Sequence, residues 1–251
     1  MTREREPVQD AAPGGPNRRF PGYDVRSQAA TWDPVTAAAV TARTRVRDSD
    51  LRFFTRREAA VASVLLDHLL AQWDEPGVPV LHMVDERLAD GHTDGWRYAD
   101  MPEDGRAWRA SLAGLDRDAR DRHEGSAFVA LTRSRQARLI RAIRELGDTP
   151  WHTMPAGRVW SLWTRYACTA FYAHPLAWNE TGFGGPAYPR GYARTGVDRR
   201  EAWEVADADP RDPVARGPVA QGASGRQPVG GQPSEGAPGP GSAAAGSEDA
   251  R

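Results

Sequence analysis

Thr55-Arg56-Arg57-Glu58-Ala59-Ala60-Val61-Ala62-Ser63-Val64-Leu65-Leu66-Asp67-His68-Leu69-Leu70-Ala71-Gln72-Trp73 decides the fold class. Thr55 followed three residues later by Glu58 is a capping box, in which each side chain satisfies an orphan amide at the start of a helix. Val61, Leu65 and Leu69 then fall on one stripe, with Ala62, Leu66, Leu70 and Trp73 beside it. An apolar stripe that wide, at a 3.6-residue period, belongs to a helix buried against others. Pro76-Gly77 is expected to end it.

The same period recurs on both sides. Asp33-Pro34 supplies an N-cap and a first-turn proline for a helix through Val35 and Val40 to about Arg45. Val80, Val84 and Leu88 predict a helix from Pro79 to near Gly91. Trp108, Leu112 and Leu115 predict another over 104–116. Phe128, Leu131, Leu139, Ile140 and Ile143 read as one helix stopping at Gly147. Val159, Leu162, Trp163, Tyr166, Ala170 and Phe171 read as the last, closed by His174-Pro175. No period-2 run with hairpin turns and no repeat of 20–50 residues stands out. The expected fold is all-α: a single domain of about six helices over 18–205, with an irregular aromatic, glycine- and proline-rich C-terminal segment. Segments 1–17 and 206–251, the latter rich in Gly, Pro, Ala and Ser, bury too little apolar surface to offset their ordering entropy and read as disordered.

Composition narrows the function. The 251 residues carry 33 basic and 34 acidic groups, for a net charge of −1, which argues against a nucleic-acid binder or a polybasic membrane protein. All the basic residues are arginine, so Schiff-base and P-loop lysines are absent. The single cysteine, Cys168, permits neither an internal disulfide nor a Cys₄ metal site, and its place in the last helix suggests a buried thiol. Arg18-Arg19-Phe20 resembles the start of a twin-arginine export signal, but Pro21-Gly22-Tyr23-Asp24-Val25-Arg26 follows where an apolar stretch is needed. With no run near membrane-spanning length, a cytoplasmic protein without membrane insertion is expected, the alternative being one exported or membrane-associated with a signal-bearing partner.

Catalytic constellations are scarce. The six histidines are scattered, no paired Glu-x-x-His supports a two-iron site, and no Gly-x-Ser-x-Gly elbow occurs. Asp85-Glu86 and Glu103-Asp104 read as solvated neighbours. The run Arg133-Ser134-Arg135-Gln136-Ala137-Arg138, with Arg141 and Arg144, reads as the wet face of a helix. Catalytic, cofactor-binding and metal-binding residues are all expected to be none. A small enzyme working through His174 or His152 is one alternative function, and a helical scaffold recruiting through its tail is another.

The stretch Ala177-Trp178-Asn179-Glu180-Thr181-Gly182-Phe183-Gly184-Gly185-Pro186-Ala187-Tyr188-Pro189-Arg190-Gly191-Tyr192 is different. Aromatics alternating with Gly and Pro make a stiff, irregular loop. They serve either as a lid folded on the helices or as anchors for a partner; residue chemistry alone leaves both open.

Phe53-Phe54-Thr55-x-x-Glu58, Gly114-Leu115-Asp116, Phe128-x-x-Leu131 with Gln136, Tyr172-x-His174-Pro175 and Trp178…Gly182-Phe183-Gly184-Gly185-Pro186 occur in that order. The set resembles the gluconate 2-dehydrogenase subunit 3 family over 50–192. The resemblance implies an accessory subunit with no cofactor of its own. It implies a large FAD-containing dehydrogenase subunit of the glucose–methanol–choline type as partner, with a cytochrome subunit as an optional third component. The partner interface is then expected at Trp178, Phe183, Gly184, Gly185, Pro186, Tyr188 and Tyr192. Many family members carry a twin-arginine signal, and the residues after Arg18-Arg19 depart from that pattern.

Overall fold

A computed structural model describes residues 20, 22–44, 51–73, 77–196, 199, 201 and 203–205. Segments 1–17 and 206–251 lie outside the described residues. The described residues are mostly helical, as the periodicity predicts. They form α1 (Pro34–Arg43), α2 (Arg56–Leu70), α3 (Val80–Ala89), α4 (Asp104–Arg122), α5 (Arg133–Glu145), α6 (Ala156–Tyr172) and α7 (Pro175–Thr181). Two short 3₁₀ segments, Val25–Thr31 and Phe128–Ala130, accompany them.

α6 is the central post, packed against α2, α3, α4, α5 and α7. Its buried residues Ala156, Val159, Leu162, Trp163, Tyr166, Ala167 and Ala170 recur every three or four positions, which keeps them on one side. Trp108 and Trp163 are fully enclosed. Trp163 Nε1 donates to Ser111 Oγ (2.9 Å), whose hydroxyl donates to the Trp108 carbonyl (2.9 Å), so this buried polar pair is mutually satisfied. The Trp108–Tyr166 and Trp151–Trp163 rings meet edge-to-face at 5.8 Å. Such pairs add about 0.5–1.5 kcal/mol beyond the area they bury.

The capping box at the head of α2 is formed in both directions. The Glu58 amide donates to Thr55 Oγ1 (3.3 Å), and the Thr55 amide donates to Glu58 Oε2 (2.9 Å). α2 stops earlier than Pro76-Gly77, because Ala71 turns left-handed at φ 53°. Trp73 therefore leaves the buried stripe and is 38% exposed, with the Arg133 guanidinium 3.6 Å over its ring.

Four further sequence expectations are corrected. The single helix over 128–147 is broken at Leu131-Thr132, where extended backbone separates the 3₁₀ turn from α5. A two-stranded antiparallel hairpin, β1 (Pro150–Trp151) and β2 (Met154–Pro155), pairs Pro150 with Pro155 and Trp151 with Met154. Its strands are too short to show a period of two. Cys168 is exposed, since it lies two residues beyond Tyr166 and falls off the α6 stripe. Asp85 is buried, with Oδ2 accepting from the Arg52 amide (2.7 Å) and Oδ1 from Phe53 (3.1 Å) and Phe54 (2.8 Å). One carboxylate thus satisfies three backbone donors that precede α2.

Candidate partner interface

The C-terminal segment begins with a helix that the sequence reading treats as loop. His174 caps α7, its Nδ1 accepting from the Leu176 amide at 3.2 Å, and Pro175 takes the first position. His174 is 1% exposed, and burial pulls its pKa down to about 4, against the opposing pull of the Arg43 backbone. It is a neutral structural cap with no access to a substrate.

α7 is covered by the N-terminal arm. Val25, Trp32, Val40 and Trp178 form an apolar cluster separate from the main core. The Val25 amide donates to Asn179 Oδ1 (2.8 Å), and Arg43 Nη1 donates to the Ala173 carbonyl (3.0 Å). The predicted interface residue Trp178 is therefore buried, 7% exposed, with its Nε1 donating to the Tyr172 carbonyl at 2.6 Å. Its amphipathic ring is spent on the arm, which the periodicity of α6 could not reveal.

Gly184 and Gly185 are also buried, for a steric reason. A Cβ on Gly185 would lie 2.4 Å from the Trp32 ring, and φ is +76°, a conformation costly to side-chain-bearing residues. A Cβ on Gly184 would lie 2.5 Å from the ring of Trp203. These glycines let two tryptophans from distant parts of the chain close on the segment's backbone. Pro186 is half-buried.

Arg190 ties the segment together. Its Nη1 donates to Thr31 Oγ1 (2.7 Å) and Gln28 Oε1 (3.4 Å), and its Nη2 to the carbonyls of Gly184 (2.5 Å) and Pro186 (3.2 Å). The guanidinium lies 3.7 Å over the Trp203 ring. Desolvation lowers its pKa. Tyr23 Oη donates to the Phe183 carbonyl at 3.2 Å.

On this framework three predicted interface residues remain exposed: Phe183 (41%), Tyr188 (69%) and Tyr192 (51%). Phe183 stands edge-on to Trp178, and Tyr192 leans on Trp203. Phe183 and Tyr192 are thus held on one side and wet on the other.

Elsewhere the distinctive residues of the matched motifs work on structure. Asp116 accepts from the Phe128 amide (2.9 Å), Arg57 Nη2 (2.6 Å) and Arg120 Nη2 (3.2 Å). Burial acts to raise its pKa, but those donors prevail and hold it below the ordinary carboxylate value. Gln136 donates to the Phe128 carbonyl (3.1 Å) and pairs with His68 (3.1 Å). His152, the other histidine considered for catalysis, sits in the β1–β2 hairpin at φ 51°, with Nε2 2.8 Å from Asp118 Oδ1. Asp118 also accepts from Trp151 Nε1 at 2.9 Å, so the carboxylate fastens the hairpin to α4. Among the described residues no group of three or more His, Cys, Asp or Glu is placed to hold a metal ion, and no helix is long and apolar enough to cross a membrane.

Fold and segment together define an all-α protein built on a central helix, with an arginine-tied aromatic segment at one end of its core sequence. The chain belongs to the gluconate 2-dehydrogenase subunit 3 family, which matches residues 56–185, a little over half its length. The match runs from the first turn of α2 to Gly185, so it covers the core and the glycine pair but not Tyr188 or Tyr192. No curated protein and no solved structure matches the chain.

Proposed function

We propose that this chain is the accessory small subunit of a flavin-dependent sugar or sugar-acid dehydrogenase, binding and stabilising a large FAD-containing subunit. The observation that carries the reading is the exposure of Phe183, Tyr188 and Tyr192 on a segment whose backbone is already fixed by Arg190, Trp32 and Trp203. A segment ordered before binding loses little conformational entropy on docking, so more of the burial energy becomes affinity. The FAD belongs to the partner and would accept hydride from the substrate carbon; the residues of this chain dock and support. A cytochrome subunit would take the electrons onward. Assembly in the cytoplasm, or export of the pair on a signal carried by the partner, both accord with this role.

His174 gives no support to an independent enzyme, because its imidazole is enclosed and engaged as a helix cap. The experiment is the affinity of the purified chain for its flavoprotein, measured with and without Phe183→Ala and Tyr188→Ala together. Each buried anchor is worth about 2–4 kcal/mol at a hot spot, so the double variant should bind at least a hundredfold more weakly while keeping its melting temperature. Unchanged affinity in a folded variant would move the interface elsewhere.

A further inference from the structure

A groove of about 820 Å³ opens between the end of α3, the 91–103 loop, the first turn of α4 and α6. It belongs to a region separate from the aromatic C-terminal segment, and nothing in the proposed subunit role uses it. Its volume lies within the roughly 300–1,000 Å³ of small-molecule sites. Tyr166 and Leu88, both buried, form its floor with Phe53, while Trp96, half-exposed, stands on its rim.

Most charges around the groove are spent on one another. Arg87 and Arg165 both pair with Asp94, and Arg165 Nη2 also reaches Asp104 Oδ2 at 3.2 Å. Asp104 accepts in addition from the Tyr166 hydroxyl (2.8 Å). Arg109 donates to the Phe53 carbonyl (2.6 Å) and pairs with Glu58 (3.3 Å). Arg97 and Arg106 are different: both line the groove, both are exposed, and neither has a hydrogen bond, ion pair or ring contact among the described residues. Glu103 is the only lining carboxylate left to oppose them, so the uncommitted charge is positive.

Arginine with free donors is suited to a phosphate or carboxylate, which it can meet in a bidentate fashion. An indole with half its surface in water is suited to a flat ring. From this juxtaposition we propose that the groove binds a small aromatic anion, its phosphate or carboxylate held by Arg97 and Arg106 and its ring laid against Trp96.

The test is calorimetric titration of the full chain with AMP, with adenosine and with inorganic phosphate as the two halves, and with 1-naphthoate as a carboxylate counterpart. AMP or 1-naphthoate should bind saturably, and each half of AMP at least tenfold more weakly than AMP itself. The Arg97→Gln/Arg106→Gln variant should lose at least tenfold in affinity with no change in melting temperature, since neither guanidinium has a hydrogen bond or ion pair to lose among the described residues. Trp96→Ala should weaken the ring-bearing ligands and leave phosphate unaffected. Absence of saturable binding by both aromatic anions at millimolar concentration would overturn the proposal. So would equal binding by the double arginine variant, or adenosine binding as well as AMP. None of these readouts involves a flavoprotein, so they stand or fall independently of the subunit role.

Discussion

The bundle α2–α6 and the assembly of N-terminal arm, α7 and glycine-rich segment are held by different physics. In the bundle, apolar stripes bury one another, and enclosed polar groups such as Ser111 and Trp163 pair with each other. In the second region the cluster Val25, Trp32, Val40 and Trp178 is small, and much of the cohesion is polar and directional, centred on Arg190, Asn179 and His174. The bundle leaves few large rings in water, chiefly Trp96 at the groove, Tyr172 on α6 and Trp73 after α2. The second region holds aromatic side chains half out in water. On the role proposed above, a folding core and a docking site, which make opposite demands on apolar residues, lie in separate places.

The largest effects should come from the bundle. Leu65, fully buried on α2, and Trp163 on α6 should each cost about 3–5 kcal/mol when replaced by alanine. Chemical denaturation should show one cooperative loss for both. A loss under about 1 kcal/mol would mean that the bundle is not the stability core.

The next effect belongs to pH and to the second region. His174 has its pKa lowered from 6.5 to about 4, so it stays neutral in the fold while the unfolded chain begins to bind its proton below 6.5. Stability should therefore fall as pH drops from 6.5 to 4 and gain no further penalty from this group below that. The span corresponds to about 3 kcal/mol as an order of magnitude. His174→Asn keeps a helix cap and removes the titration, so the difference between the two stability–pH curves isolates the imidazole. Parallel curves would sink the assignment.

Gly185→Ala should cost about 1–3 kcal/mol, because the left-handed φ and the Trp32 ring both oppose a Cβ. Hydrogen exchange sharpens the contrast between the regions: amides over 22–44 and 182–192 should lose protection while α2–α6 keep theirs. Loss of protection across the whole domain would show that the two regions fold as one cooperative unit. The smallest effect is expected for Arg138→Gln on the wet face of α5, within about 0.5 kcal/mol of no change by the same denaturation assay.

The bundle was legible in the sequence because a helix buried on one face writes its period into consecutive residues, as Val61, Leu65 and the capping box Thr55/Glu58 show. What escaped depends on contacts distant along the chain. Asp85 reads as a surface acid until the amides of Arg52, Phe53 and Phe54, more than thirty residues earlier, are seen to converge on it. Trp178 reads as an available anchor until Val25, Trp32 and Val40 cover it. Gly184 and Gly185 could be noted as unusual, but not that each makes room for a particular tryptophan. Cys168 was misplaced by a smaller error: inclusion in an apolar helix does not put a residue on its apolar face. Phe183, Tyr188 and Tyr192, read as interface residues, are exposed, as an alternation of aromatics with Gly and Pro lacks the regular hydrogen bonding that would bury them all.

The most direct test is affinity capture of the tagged full-length chain from its native cells, with the visible spectrum of the complex recorded and the components identified. The account predicts a glucose–methanol–choline-type dehydrogenase at a fixed stoichiometry with flavin absorption, lost when Phe183, Tyr188 and Tyr192 are replaced together by alanine. A colourless, partner-free chain from cells that make such a dehydrogenase would contradict it.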